Sequence, residues 1–179
     1  ECRELNHRFI TFNTHHRPYI MLKWCQTANG FLDDHHRPVM LSTPFTQMLT
    51  HKLRAEYDAI LVGRVTDERD HPRLDTRLWS GQSPRRIVLS HSSQHDSAQS
   101  VIPQLMADLY ADGVQSLLVE GGAATHASFI EAKLWDELRV ETSPLTVAGG
   151  THAPDIPSCA TLVSQKIWDG NVIRLFRRS

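Results

Sequence analysis

The stretch Ser116-Leu117-Leu118-Val119-Glu120-Gly121-Gly122-Ala123-Ala124-Thr125 constrains this chain more than any other. A short apolar run ends in a carboxylate and two glycines, and Phe129, Ile130, Ala132 and Leu134 then recur as a helix requires. That order reads as a buried strand passing through a tight turn into a helix. Glycines let a backbone approach a ligand closely, and a helix start presents free N–H groups and the positive end of its dipole. A phosphate-bearing ligand can dock there, with Glu120 at the strand's carboxyl end. Two glycines alone fit equally a turn that serves only backbone geometry.

The rest of the chain repeats this grammar. Pro18 opens an apolar run from Tyr19 to Trp24, a buried strand carrying Lys23, and a lysine there must snorkel outward or meet an anion. Ser42-Thr43-Pro44 marks a helix start. Phe45, Met48, Leu49 and Leu53 give that helix an apolar face to about Glu56, and Arg54 in its last turn complements the dipole. Strands are expected at 58–63 and 86–89, with a polar segment from Arg64 to Arg77 between them. The stretch from Ser90 to Ser100 reads as a loop, and Ile102, Leu105, Met106 and Leu109 as a helix stopped by Gly113. A strand at 114–119 and a helix over about 123–133 follow. Glu137 to Glu141 and Leu145 to Val147 read as strand pieces, and Asp169-Gly170 joins the last two strands as a hairpin. This alternation predicts an α/β fold, a mostly parallel sheet with helices on both faces and a C-terminal antiparallel hairpin. Ligands of such sheets bind beyond the carboxyl ends of the strands. Lys23, the Gly63 to Arg77 segment and Glu120-Gly121-Gly122 are therefore expected along one rim.

At 179 residues the chain suits one domain. Residues 1–17 lack a clear period and read as a linker or the tail of a preceding domain, with a short helix around Arg3–Phe9. Residues 18–179 are then the folded domain. The chain has no initiator Met, as expected of a piece cut from a longer polypeptide. A net charge of −1 without a basic stripe gives no reason to expect nucleic acid. No apolar run approaches the roughly 18 residues a membrane span needs. Glu1-Cys2-Arg3-Glu4 is unlike a signal peptide, and three cysteines without C-x-x-C fit a reducing cytoplasm. His15-His16 and His35-His36 are adjacent pairs, and His91 and His95 lack a third ligand, so no metal is expected.

From about Arg17 onward the chain resembles the reductase domain of the riboflavin-biosynthesis deaminase/reductase, which has a dihydrofolate-reductase-like fold. The resemblance rests on Lys23 through Gly30, on Leu53-Arg54-Ala55-Glu56 leading into Ala59 through Gly63, and on Thr66 with Asp70 through Leu74 and Arg77. It continues with Val119 through Gly122 and Trp135 through Leu138. It implies an NADPH-dependent reduction of the ribosyl side chain of 5-amino-6-(5-phosphoribosylamino)uracil. It assigns Arg54, Leu74, Arg77 and Glu120 to the substrate. To NADPH it assigns Gln26, Thr66, Asp70, Gly121, Gly122, Ala123, Ala124 and Thr125. It also implies fusion to an upstream deaminase domain and a homodimer, for which the apolar hairpin is the candidate face. The family's Asp-Gly becomes Asn29-Gly30 here, its Asp-Asp-Pro becomes Asp70-His71-Pro72, and its Asp-Ser becomes Ser90-His91. Arg64, in place of a smaller residue, reads as solvent-facing, with a cofactor phosphate as the alternative.

Hydride transfer asks side chains for little beyond alignment and a proton source. Lys23, Asp70 and Glu120 are the candidate catalytic residues. Asp70 or a water supplies the proton, Glu120 orients the substrate, and Lys23 binds substrate or neutralises Glu120. The plain alternatives are a turn cap for Asp70, a helix-end cation for Arg54 and a solvated charge for Arg77. A pteridine or dihydrofolate-type reductase and a non-catalytic nucleotide-binding module are the competing classes.

Overall fold

The computed structural model describes residues 6–89 and 98–179. In chain order the elements are α1 (His7–His15), β1 (Tyr19–Gln26), α2 (Pro44–Ala55), β2 (Ala59–Gly63), α3 (Arg64–Asp70) and β3 (Arg85–Leu89). They continue with α4 (Ala98–Ala111), β4 (Ser116–Val119), α5 (Ala123–Glu131), β5 (Glu137–Thr142), β6 (Ala160–Trp168) and β7 (Asn171–Arg178). One sheet of seven strands runs in the order β3-β2-β4-β1-β5-β7-β6. Its first five strands are parallel and the closing hairpin is antiparallel. The expected α/β architecture, mostly parallel with an antiparallel C-terminal hairpin, is the observed one.

Strand alternation divides the core between two faces. On one, Ile20, Leu22, Leu61, Leu117, Val119 and Leu138 meet Phe129 of α5 and Ile102, Met106 and Leu109 of α4. On the other, Met21, Ile60, Val62 and Leu118 pack with Tyr57, Leu74 and Leu53 of α2. The helix start read at Ser42-Thr43-Pro44 is a capping box: Thr43 Oγ1 accepts from Thr46 N, Thr46 Oγ1 accepts from Thr43 N, and Pro44 fills the first turn. Asp169 and Gly170, at φ 50° and 86°, form the hairpin turn that their sequence predicts.

The crossover from β1 through α2 to β2 skips one position, and β4 fills it. Asp58 Oδ2 holds the start of β4 there, accepting from Gln115 N, Ser116 N and Ser116 Oγ at 2.9, 2.9 and 3.0 Å. The carboxyl end of β4, where Glu120 follows, thus lies between those of β2 and β1.

Some expectations change. The polar segment after β2 begins as helix α3, which the charges of Arg64 to Asp70 disguise because it has no buried residue. Leu145 to Val147 is no strand: β5 ends at Thr142, and Asn29 ties the segment instead, its Nδ2 donating to Val147 O at 2.8 Å. Within residues 1–17, the helix lies at His7–His15 and packs on the domain, with Arg8 over the Tyr57 ring and Phe12 against Tyr110. The start of the helix expected around Arg3–Phe9, the Ser90-His91 departure and the His91/His95 pair lie outside the described residues.

Phe129 is fully buried between α5 and the sheet. Phe129→Ala should lower stability by about 3–5 kcal/mol. Urea unfolding should show this as a lower midpoint at unchanged slope.

Candidate functional site

Glu120 leaves β4 with its N–H bonded to Leu61 O at 2.9 Å, so its position is set by the neighbouring strand. Its side chain turns to the face covered by α2. There Arg54 Nε donates to Oε1 at 2.9 Å and Nη2 to Oε2 at 2.8 Å, a two-pronged charge-assisted pair. Lys23 Nζ stands 3.9 Å from Oε2, and the Lys23, Arg54 and Glu120 side chains are only 10%, 12% and 10% exposed. Burial alone would raise the pKa of Glu120. The Lys23 ammonium and the Arg54 guanidinium overcome that and hold it at about 2. Glu120 is therefore a fixed anion at neutral pH and cannot donate a proton.

Arg54 does more than complement a helix dipole. Its Nη1 also donates to Asp75 O at 3.2 Å, while the Asp75 carboxylate takes Arg77 Nη1 at 2.5 Å and Arg73 Nε at 2.9 Å. Arg54 and Arg77, expected together on the substrate, meet through Asp75. Buried His51 completes the group with Nδ1 at 4.0 Å from Asp75 Oδ1, and burial and the two arginines lower its pKa. Leu74 is buried in the apolar cluster under α2, at φ 52°. Asp70 is the last residue of α3, and Arg69 bonds both its oxygens, Nε at 2.9 Å and Nη2 at 3.2 Å.

Beyond the carboxyl ends of β2 and β4 lies a cavity of about 350 Å³. Gly122, Ala123, Ala124 and Thr125 form one wall, and Gly63, Arg64 and Thr66 another. Gly122 caps α5 without any side-chain bond, so the first N–H groups of that helix keep their donors available. The glycines here are a steric need. A Cβ on Gly121 would come 2.7 Å from Thr125 Cβ, and one on Gly63 would strike Thr125 Oγ1. Thr125 thus fills the space that both turns leave. Gln26 lies elsewhere: its Oε1 accepts from Trp24 Nε1 at 2.8 Å, and it lines a different cavity with Arg174 and Phe176. Arg64 pairs with Glu68 at 3.1 Å on the rim.

Three residues of interest carried no sequence signal. Asp33, in the polar loop after β1, is a buried carboxylate on the cavity wall. Thr151 N, Thr151 Oγ1 and His36 N donate to it at 2.9, 2.7 and 3.0 Å. Burial would raise its pKa, but those donors lower it. Thr151 comes from a loop 118 residues away, beyond the reach of local pattern. His126, in the first turn of α5, is fully buried against Trp24, its ring nitrogens without hydrogen-bond partners among the described residues. Burial, then the Lys23 ammonium, push its pKa down to about 4.

Residues 18–167 match the model of the RibD C-terminal domain. The riboflavin biosynthesis protein RibD of Corynebacterium ammoniagenes is 29% identical over 171 residues, covering 82% of this chain and 49% of that protein. The chain spans about half the length of the RibD proteins of Corynebacterium ammoniagenes, Aquifex aeolicus and Bacillus amyloliquefaciens. Among solved structures, a diaminohydroxyphosphoribosylaminopyrimidine deaminase/5-amino-6-(5-phosphoribosylamino)uracil reductase of Thermotoga maritima superposes with a TM-score of 0.86. It is 23% identical, covering 99% of this chain and 61% of that one. Dihydrofolate reductase from Enterococcus faecalis, complexed with NADP(H), superposes at 0.66 with 19% identity, covering 90% of this chain and 96% of that one. The fold is dihydrofolate-reductase-like.

Of the groups with lowered pKa, His126 and Glu120 are shifted most and contribute most to the acid limb of stability. His126 binds its proton more weakly when folded, at about 4 against 6.5, and so does Glu120, at about 2 against 4.5. Each contribution is whole above the unfolded value and is lost as pH falls through the folded one. His126→Leu should therefore remove a loss on the order of 2 kcal/mol between pH 7 and pH 4. The later loss, set by Glu120, should remain. Urea midpoints across that range check this, and identical acid limbs in the two proteins would mean that the ring is not buried neutral.

Proposed function

The chain belongs to the RibD C-terminal domain family, and from that membership we propose that it reduces the ribosyl side chain of 5-amino-6-(5-phosphoribosylamino)uracil with NADPH. One observation carries the reading. A single turn, Glu120-Gly121-Gly122, joins a buried anion–cation cluster on the α2 face to a cavity at an open helix N-terminus.

The residues around the cavity suit a dinucleotide phosphate. Free N–H groups at the start of α5 meet the anion, and glycines at 63, 121 and 122 bring backbone close to it. Thr66, Gly122, Ala123, Ala124 and Thr125 would hold NADPH, with Arg64 on the rim for its 2′-phosphate. When bound, NADPH supplies the hydride. The chain's own residues do the rest. Arg77 and the Lys23 ammonium receive the substrate's phosphate and polar groups, while Arg54 keeps Glu120 in place to orient it. Glu120 stays ionised and Asp70 is committed to Arg69, so the proton comes from the Lys23 ammonium or a water it holds.

In the same reading the chain is the reductase half of a cytoplasmic enzyme fused to a deaminase domain. The half-length match to the relatives supports the fusion, and none of the described helices is long and apolar enough to cross a membrane. A homodimer is supported by the edge strand β6, where Leu162, Val163 and Ile167 are exposed.

Loss of NADPH absorbance in the presence of the ribosylaminouracil phosphate tests the reaction, and no turnover under any condition would overturn it. Fluorescence titration should give tighter binding of NADPH than of NADH. Glu120→Gln should lower turnover at least about tenfold, roughly 1.4 kcal/mol of transition-state stabilisation.

Arg77→Ala should act differently, raising KM about tenfold with NADPH affinity nearly unchanged, because its contact exists equally in ground and transition states. Arg54→Ala should lower turnover as well, since Glu120 then loses both its hydrogen-bonded prongs. A dephosphorylated substrate handled as well as the phosphorylated one would remove the phosphate-anchoring role.

A further inference from the structure

Among the described residues, Arg139 stands out from the other buried cations. It sits on β5 in register with Lys23 of β1 and Leu175 of β7, facing α2, and is 9% exposed. A guanidinium carries five N–H donors. Yet among the described residues Arg139 has no hydrogen-bond acceptor and no carboxylate at ion-pair distance, and its Nη1 is wholly enclosed. Two other well-shielded arginines are paired: Arg17 with Asp136 and Arg54 with Glu120. Glu141, two residues on and on the same face, and Glu120 attract it only through space, neither at hydrogen-bond or ion-pair distance. Glu141 Oε1 takes Asn171 Nδ2 at 2.6 Å and its Oε2 has no hydrogen-bond partner among the described residues. A buried guanidinium whose donors meet no acceptor carries a desolvation cost that an arriving anion would offset.

Arg139 lines a cleft of about 250 Å³ between α2 and the β6–β7 hairpin. Leu49, Leu53, Ile173 and the Trp168 indole form apolar walls, and Lys52 and Lys166 add cations. Lys52 is bonded to Glu56, which leaves Lys166 and Arg139 as the positive pair. This cleft lies on the β5–β7–β6 side of the sheet, away from the cavity beyond β2 and β4.

We propose that this cleft binds a small organic anion, its carboxylate or phosphate received by Arg139 and its flat apolar body held against Trp168 and the α2 leucines. The planar guanidinium fork matches two oxygens of either group. The volume is below that of common drug-sized pockets and suits a single ring, not a dinucleotide. Arg139 also bears on Glu120 through space, so the cleft adjoins the group of Lys23, Arg54 and Glu120. The proposed site rests on the unbonded guanidinium and the cleft around it, not on the reductase reading.

The test uses the purified chain with benzoate, phenyl phosphate and inorganic phosphate, read by calorimetry and by thermal melting. Benzoate or phenyl phosphate should bind and raise the melting temperature, and whichever binds tighter identifies the headgroup. Inorganic phosphate, which lacks the apolar body, should bind more weakly than phenyl phosphate. Arg139→Met should weaken binding at least tenfold. In buffer free of carboxylate and phosphate it should melt at or above the wild-type temperature, because it removes an unpartnered charge. Lys166→Ala, an exposed change that leaves the fold alone, should weaken binding about threefold. Equal binding by wild type and Arg139→Met would overturn the proposal, as would no binding of either aromatic anion. A lower melting temperature for Arg139→Met in anion-free buffer would do the same, because the guanidinium would then have a structural partner.

Discussion

The buried pair between Glu120 and Arg54 is the contact on which the site depends. A carboxylate this shielded is costly unless its charge and its oxygens are answered. Arg54 answers both oxygens, and Lys23 adds a second positive charge. Three elements must be in place at once for this: the last turn of α2, the middle of β1 and the end of β4. The insertion of β4 between β2 and β1, held by Asp58 at its start, meets that requirement. Sheet order and site electrostatics are in this sense one constraint.

The turn after β4 divides two environments. On the α2 face stands the charged group of Lys23, Arg54 and Glu120, extended through Asp75 to Arg73 and Arg77. Toward α5 the surroundings are backbone and small side chains, with Thr125 packed where the β-carbons of Gly63 and Gly121 would be. His126, beneath that helix start, is kept neutral by burial and by the nearby ammonium. Under the proposed reading, a polar phosphorylated substrate meets the first environment and the cofactor the second. Nothing but two glycines separates them.

Much of the site was legible as parts and not as an arrangement. Lys23, Glu120 and the glycines could be picked out because a cation inside an apolar strand and a carboxylate before paired glycines are locally odd. Arg54 was legible as a cation at a helix end, but its partner lies 66 residues away, and no periodicity reports that. Asp75 and Asp33 looked like ordinary loop carboxylates. Their partners come together only when the segment after α3 folds against α2 and the loop near Thr151 folds against the one after β1. Asp70 and Gln26 show the opposite case. Residues matched by motif found local partners, Arg69 and Trp24, that a one-dimensional match does not register.

By itself the sequence determined the elements, their alternation and so the α/β class, because strand and helix periods, the Thr43-Pro44 cap and the Asp169-Gly170 turn are short-range physics. It also pointed to the carboxyl ends of the strands as the place where ligand chemistry would gather. Only the tertiary structure decided which charges pair, which carboxylate stays ionised and which guanidinium, that of Arg139, has no hydrogen-bond acceptor among the described residues. Charge pairing depends on distance and burial, and both are set by contacts between segments that the chain order keeps far apart.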